Sequence, residues 1–504
     1  MLQAFKRKWV YKDSPLERTP VARLFLQPPR QRKPVQPLAA EFSARAGISR
    51  RQMTVLAGLV FGGALAAWRA PHVALGALYW LGWLAFMANA LLRLAACCLP
   101  PARPAVPAEA ASNENLPDYS VMVALYKEAA IVPQLVAAML RLDYPRHRLE
   151  ILFTLEADDH ATIAAFHACA LPPHTRVVEV PAPGPGEPRT KPRALNYALA
   201  QAHGDLVVIY DAEDQPHPDQ LKAAARAFDA GDPRLACLQA PLRPVGGHGF
   251  IARQFAAEYA VQFDVLLPAM RALGLPFPLG GTSNHFRAEV LKTIGAWDAF
   301  NVTEDADLGL RLAQYGYTSG LIAPPTCETP PSSARVWLPQ RTRWIKGYLQ
   351  TLGVHTRAFH WRVWVGMILG VGLSALAALL YAPFSAMVVI TAAMSGLQAL
   401  GNASRTLPPV PWRDLLLFGV GSFSALVSLA VGARRAGLRF GVADMARAPL
   451  YWCLQSLAAC FAVYQLVTRP FHWDKTEHAP VHNPLAAEGA SAYAGAHDDH
   501  RRRS

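Results

Sequence analysis

Apolar positions along this chain fall into two kinds of block. Long ones occupy residues 53–68 and 73–99 near the beginning, and 363–380, 383–400, 415–431 and 450–467 toward the end. A bilayer core takes roughly 20 apolar residues of helix, so these read as six spans, the first near the lower length limit. From residue 119 to about 330 the runs are short: "YSVMVALY", "LEILFTLEADD", "TRVVEV" and "DLVVIYDAED", separated by helical stretches such as 130–142. Short buried strands alternating with helices predict a largely parallel sheet covered on both faces. Ligands bind such sheets beyond the carboxyl ends of the strands.

The implied organisation is a basic tail (1–52), two spans (53–99), a Pro- and Ala-rich linker (100–118) and an α/β domain (119–330). A basic amphipathic stretch (331–362), about four more spans (363–468) and a partly disordered tail (469–504) follow. Lys6, Arg7, Lys8, Arg50, Arg51 and other bases crowd the first segment, where the positive-inside rule expects cytoplasm. That segment reads as lacking a core of its own. Two spans before the domain and four after it keep domain and tails on one side. The loop with Arg434, Arg435, Arg439 and Arg447 would then be external, against the rule. Either one span is misassigned or this segment lies flat on the inner surface.

Hydrophobic residues make up 52% of the 504, mean hydropathy is +0.15 and net charge is +13, a balance pointing to a lipid bilayer. The bases flank apolar blocks and do not cluster on the α/β domain, which argues against nucleic acid. Seven scattered cysteines without a C-x-x-C pair suggest neither a disulfide framework nor a zinc site. The first apolar run begins too late for a cleavable signal peptide.

Candidate chemistry sits where the buried run "LVVIY" ends in Asp211, Glu213 and Asp214. Carboxylates this close raise one another's pKa unless a cation lies between them. A hard divalent ion and a solvated acidic turn both fit. "RTKPRALNYALAQAHGD" reads as a helix with Thr190 as N-cap and Lys191 and Arg193 near an anion. "LEADD" brings Glu156 and Asp158. "NVTEDADLGL" sets Glu304 and Asp305 early in a helix, where carboxylates also simply suit the dipole. "QRTRWIKGYLQT" reads alone as an Arg and Trp membrane anchor.

In this order the stretches resemble the processive family 2 glycosyltransferases: membrane enzymes such as cellulose, hyaluronan and chitin synthases. The most specific element is Q-x-x-R-W (Gln340, Arg343, Trp344) after T-E-D (Thr303, Glu304, Asp305). "YDAEDQPHP", "GGTSNHFR", "RWIKGYLQT" and "FHWDKTEH" look like the bacterial envelope-polysaccharide branch that includes phage-adsorption glycosyltransferases. The resemblance implies a GT-A-type, Rossmann-like α/β cytoplasmic domain inserted between transmembrane helices in a bacterial inner membrane. It implies a hexosyltransferase that extends a β-linked polysaccharide by inverting transfer from a nucleotide sugar, a UDP-sugar by expectation. It also implies export of the growing polysaccharide through the protein's own helices, with envelope secretion partners.

Carried over by position, Asp211 and Glu213 would hold Mg2+ or Mn2+, with Glu in place of the usual second Asp. Glu156, Asp158, Lys191, Asn196, Asp211 and Arg343 would bind the donor. Asp305 would be the base, with Glu304 pointing elsewhere on its helix. Gly281, Thr282, Ser283, Glu304, Gln340 and Trp344 would face the acceptor. For His285 a structural hydrogen-bonding role is at least as good a reading as catalysis. Tyr79, Trp80, Trp83 and Phe86 share roughly one helix face, as sugar-stacking or as helix-packing rings. Two rivals remain: single transfer onto a lipid phosphate, and a non-catalytic secretion or receptor component with the same fold.

Overall fold

The computed structural model describes residues 33–100, 116–399 and 411–472. The tail from His478, expected to be disordered, and most of the linker lie outside them. Two helices, α1 (Arg50–Arg69) and α2 (Pro71–Cys98), lead into the α/β domain. Its first half runs β1 (Tyr119–Leu125), α3 (Val132–Leu140), β2 (Leu149–Glu156), α4 (His160–His167), β3 (Thr175–Val180), α5 (Lys191–Gln201) and β4 (Leu206–Tyr210). The second half runs β5 (Gln215–Pro216), α6 (Gln220–Asp229), β6 (Leu235–Gln239), β7 (Leu242–Pro244), α7 (Gly249–Val261) and α8 (Leu267–Ala272). Then come β8 (Asn284–Arg287), α9 (Ala288–Thr293), α10 (Glu304–Gln314), β9 (Thr318–Leu321) and β10 (Thr326–Glu328).

Seven strands form one sheet in the order β3-β2-β1-β4-β8-β6-β9, parallel except for β8; β5, β10 and β7 make a small second sheet. Every residue of β4 is buried because helices cover both faces. Val208 and Tyr210 pack with Val121, Val123 and Phe153 on one side; Val207 and Ile209 pack with Met122, Leu152 and Leu195 on the other. Each such aliphatic side chain contributes roughly 1.5–3 kcal/mol by burial. A charge at Val208 would forfeit that and strand itself in the core.

Beyond the domain lie α11 (Ala334–His355), α12 (Trp361–Met367), α13 (Leu373–Ala399), α14 (Trp412–Arg435) and α15 (Val442–Thr468). Among the described residues four helices are long and apolar enough to cross a membrane: Pro71–Cys98, Trp361–Leu397, Trp412–Arg435 and Val442–Thr468. The six expected spans are corrected here: α1, which holds residues 53–68, falls short of that apolarity, and two later spans merge. Residues 363–380 and 383–400 do not form a hairpin, because no polar turn residues separate them; Pro383 sits inside one continuous helix. The basic loop is thereby brought back to the domain. Arg435 donates to the Asp264, Cys97 and Leu99 carbonyls at 2.7, 2.8 and 2.6 Å.

Although long and apolar, α15 begins and ends at the domain. Asp444 near its start pairs with Arg253 of α7 at 2.8 Å. Just past its end, the Pro470 and His472 carbonyls accept from Gln350 at 2.9 Å and Lys346 at 2.6 Å, both on α11. Between these points Tyr451 accepts from Trp337 Nε1 at 2.9 Å, and Ala458, Ala459 and Ala462 pack on Ile345. This helix lies along α11.

The end of the basic tail has a partner surface after all. Asp298 accepts from Ser43 Oγ at 3.1 Å and from the Ala44 N–H at 2.6 Å, and Arg357 donates to the Glu41, Ser43 and Gly47 carbonyls. Gly295 has φ +84°, and a Cβ there would fall 2.7 Å from the Leu38 Cα, so only glycine admits this strap.

Candidate active site

Where β4 ends, Asp214 turns inward. It accepts from the Asp211 N–H at 2.7 Å and from the Thr282 hydroxyl, and burial followed by the nearby Asp211 charge raises its pKa well above the carboxylate range. That turn leaves Asp211 and Glu213 on the wall of a cavity of about 260 Å³. Lys191, first residue of α5, reaches the same wall, pairing with Asp211 and donating to the Gly281 carbonyl at 3.0 Å. Burial opposes its charge, but Asp211 and Glu304 outweigh burial and its pKa is raised.

Opposite stands the first turn of α10. Its approach is pinned to α11: the Val302 N–H donates to Gln350 Oε1 at 3.2 Å, and Asn301 Nδ2 donates to Thr351 Oγ1 at 3.1 Å. One turn on, Asp307 accepts from Arg311 at 3.0 Å and meets His355 Nε2 at 2.9 Å, all three fully buried. Burial alone would raise the Asp307 pKa; Arg311 and His355 hold it low. Thus anchored, Glu304 and Asp305 both line the cavity. The expectation that Glu304 points elsewhere is corrected: at the open start of a helix, consecutive side chains reach one cavity. Burial, then the Asp305 charge, pushes Glu304 up to about 7, and burial raises Asp305 as well. The Gly281 backbone runs close to Asp305, so that a Cβ there would be in ordinary contact with Oδ2 at 3.5 Å.

From α11 come Gln340, Arg343 and Trp344. Arg343 donates to the Val302 carbonyl at 3.5 Å, tying this helix to the T-E-D loop. Arg341 grips Glu258 through two bonds of 3.0 and 2.5 Å, and its guanidinium lies 4.6 Å from the Trp344 ring centre.

Glu156, Gly281 and Thr282 line the cavity too. Three expected residues are placed elsewhere, and His285 takes the structural role. Asp158 is exposed and pairs at 2.7 Å with Arg189, which does line the cavity. Asn196 spends both ends of its amide on the Trp297 backbone, at 2.7 and 3.1 Å. Ser283, at φ +59°, bonds Thr326 at 2.6 Å inside the protein. His285 lies between Tyr119 at 2.6 Å and Gln220 at 3.2 Å, and burial lowers its pKa to about 3. That histidine is neutral and structural.

Among the lining residues that escaped sequence reading are Glu258, Glu328 and Tyr348. Glu328 is a buried carboxyl whose pKa is raised well above the usual range, by burial first and then by Glu213, Asp214 and Asp211. "TCETPP" offered only one acid among turn residues, and Glu258 had no motif around it.

No group of three or more His, Cys, Asp or Glu gathers to enclose a metal among the described residues. Two carboxylates on one loop instead suit a hard ion that completes its shell with water and substrate phosphate, as Mg2+ does. The donor set fits that use.

A mostly parallel sheet that gathers acids, a lysine and an arginine at its strand ends, docked on long apolar helices, defines a GT-A-like α/β protein. Residues 117–347 match the family model described as "Glycosyltransferase like family 2". Over 239 residues it is 26% identical to a probable glycosyltransferase YdaM of Bacillus subtilis, covering 46% of this chain and 56% of that one. Over 280 residues it is 29% identical to a beta-monoglucosyldiacylglycerol synthase of Synechocystis, covering 54% and 57%. Cellulose synthase 2 of Novacetimonas hansenii is 26% identical over 254 residues, covering 48% of this chain and 15% of that one. The chain thus spans little more than half the length of the first two relatives, and far less of the third.

Proposed function

We propose that this chain is an inverting hexosyltransferase of a bacterial inner membrane, its domain on the cytoplasmic face. It takes a nucleotide-diphosphate sugar, a UDP-sugar in this reading, and extends a β-linked polysaccharide. One observation carries the proposal: Asp211, Lys191, Asp305 and Arg343, from four distant segments, line one cavity at the strand ends.

Asp305 takes the proton of the acceptor hydroxyl as that oxygen bonds the anomeric carbon and the bond from that carbon to the diphosphate breaks. Glu304 beside it raises the basicity of the pair. Arg343 and Lys191 offer the diphosphate charge-assisted hydrogen bonds. Glu156 and Arg189 border the nucleotide end, and Trp344 offers the acceptor an apolar face. A Mg2+ or Mn2+ ion held by Asp211 and Glu213 would neutralise the departing diphosphate.

Inverted membrane vesicles supplied with a panel of nucleotide sugars should release free nucleoside diphosphate from one of them, and Asp305→Asn should abolish it. Gel filtration of labelled product separates extension from single transfer: a product one sugar larger than its lipid acceptor would end the polysaccharide reading. Unchanged polymer output from Asp305→Asn cells would favour the non-catalytic alternative. Export through the helices is a separate step, read by whether product becomes enclosed in the vesicles.

A further inference from the structure

A second cavity, of about 820 Å³, lies among α2, α7, α11, α13, α14 and α15. Glu258, Gln262, Arg341 and Tyr348 belong to the walls of both cavities, so the two adjoin. Away from that shared wall the lining turns apolar, with Leu75, Leu78, Phe384, Met387, Leu417 and Phe418. At the far end α2 and α14 are tied together. Tyr79 bonds Asp414, Arg413 Nε donates to the Tyr79 hydroxyl at 3.0 Å, and Trp83 Nε1 donates to the Arg413 carbonyl at 3.1 Å. The space is amphipathic: polar beside the transfer cavity, apolar through its middle, and closed at the far end by the Tyr79–Asp414 pair.

Beside the transfer cavity its charges do not balance. Glu258 is answered by Arg341 and accepts further bonds from Tyr451 at 2.8 Å and Gln455 at 3.0 Å. Arg93 of α2 lines the same cavity, and among the described residues it makes no hydrogen bond or ion pair. At this end two guanidinium groups therefore face one carboxylate, while Asp414 on the far wall shares the Tyr79 hydroxyl with Arg413. A guanidinium among apolar helices is costly unless an anion answers it. A soluble phosphate would set polar surface against leucine and phenylalanine, while a neutral lipid would leave Arg93 only the Glu258 charge that Arg341 already pairs with.

We infer that this cavity holds the hydrocarbon of a lipid whose phosphate headgroup pairs with Arg93, and that this lipid anchors the acceptor beside the transfer cavity. The anchoring role rests on the function proposed above; occupancy by the lipid does not. Both a phosphatidic acid and a long-chain isoprenyl phosphate carry the required chemistry.

The full chain, purified in detergent, is titrated with dioleoyl phosphatidic acid, a long-chain isoprenyl phosphate or dioleoylglycerol, and bound lipid is counted by native mass spectrometry. One copy of a phosphate lipid should be retained at least about tenfold more tightly than dioleoylglycerol, the scale of one charge-assisted contact. Whichever phosphate lipid binds tighter identifies the source. Arg93→Gln should erase the preference, and Arg93→Lys should keep most of it. Ala425→Trp, which fills the cavity from α14, should expel every lipid and serves even if Arg93→Gln fails to fold. Equal retention of dioleoylglycerol, or retention unchanged in Ala425→Trp, overturns the inference. Diphosphate release on the same material keeps the two proposals apart: release without lipid preference sinks only this one, and lipid preference without release sinks only the other.

Discussion

The two adjoining cavities share four wall residues and differ in almost everything else. One is crowded with titratable groups from the α/β domain, among which burial raises the pKa values of Glu304, Asp305 and Glu328. The other is lined mainly by aliphatic and aromatic side chains of long helices, with a surplus guanidinium at its polar end. Proton removal needs closely spaced charges that water does not screen, whereas holding a chain of hydrocarbon needs area without polarity. The shared wall of Arg341, Glu258 and Tyr348 lets one protein offer both.

The largest expected effect separates the two regions outright. Asp305→Asn should lower diphosphate release by about 10²- to 10⁴-fold, the range for losing a general base, with lipid retention unaltered. Loss of both readouts together would mean the cavities are not independent. Next comes metal: an excess of chelator should lower turnover by about 100-fold, the order of a lost Lewis acid. Full turnover in chelator would assign the diphosphate to Lys191 and Arg343 alone.

Cutting the shared wall comes third. Arg341→Ala leaves Glu258 without its bidentate partner and should cost about 3 kcal/mol, read as a fall in thermal unfolding midpoint of the detergent-solubilised protein. An unshifted midpoint would show that the wall is not held by this pair.

A pH profile then sharpens the account of the catalytic side. Glu304 is pushed up to about 7 by burial and by Asp305, while Lys191 and Arg343 face the pair and favour its ionised form. Below that value Glu304 carries a proton and no longer adds its charge to the basicity of Asp305, so turnover should rise with pH through about 7. Glu304→Gln removes the like charge, so the Asp305 pKa should fall and the rising limb should move toward acid. A limb that stays in place would assign the titration to another group. The smallest effect tests a corrected residue. Asn196→Ala should cost at most about 2 kcal/mol of stability by freeing the Trp297 backbone, with KM for the nucleotide sugar unchanged. A raised KM would return Asn196 to donor binding.

Much of the domain was legible in one dimension because its signals are local. The buried run ending in Asp211, the acids opening α10 and Q-x-x-R-W on α11 each announce themselves within a few residues, and all reach the first cavity. Whether a motif residue faces a ligand or a neighbouring backbone depends on packing between segments far apart in the chain. Asn196 and Ser283 therefore left the site, while Glu258 and Glu328 joined it.

The same division governs the helices. Length and apolarity of each block follow from composition, and they made a bilayer the expected surroundings. How the blocks connect did not follow from composition. One uninterrupted helix replaced an expected hairpin, and α15 lies along α11 with both ends at the domain, because partners such as Arg253 and Gln350 hold it there. A stretch of sequence specifies what it can bury, but only the assembled neighbours specify where.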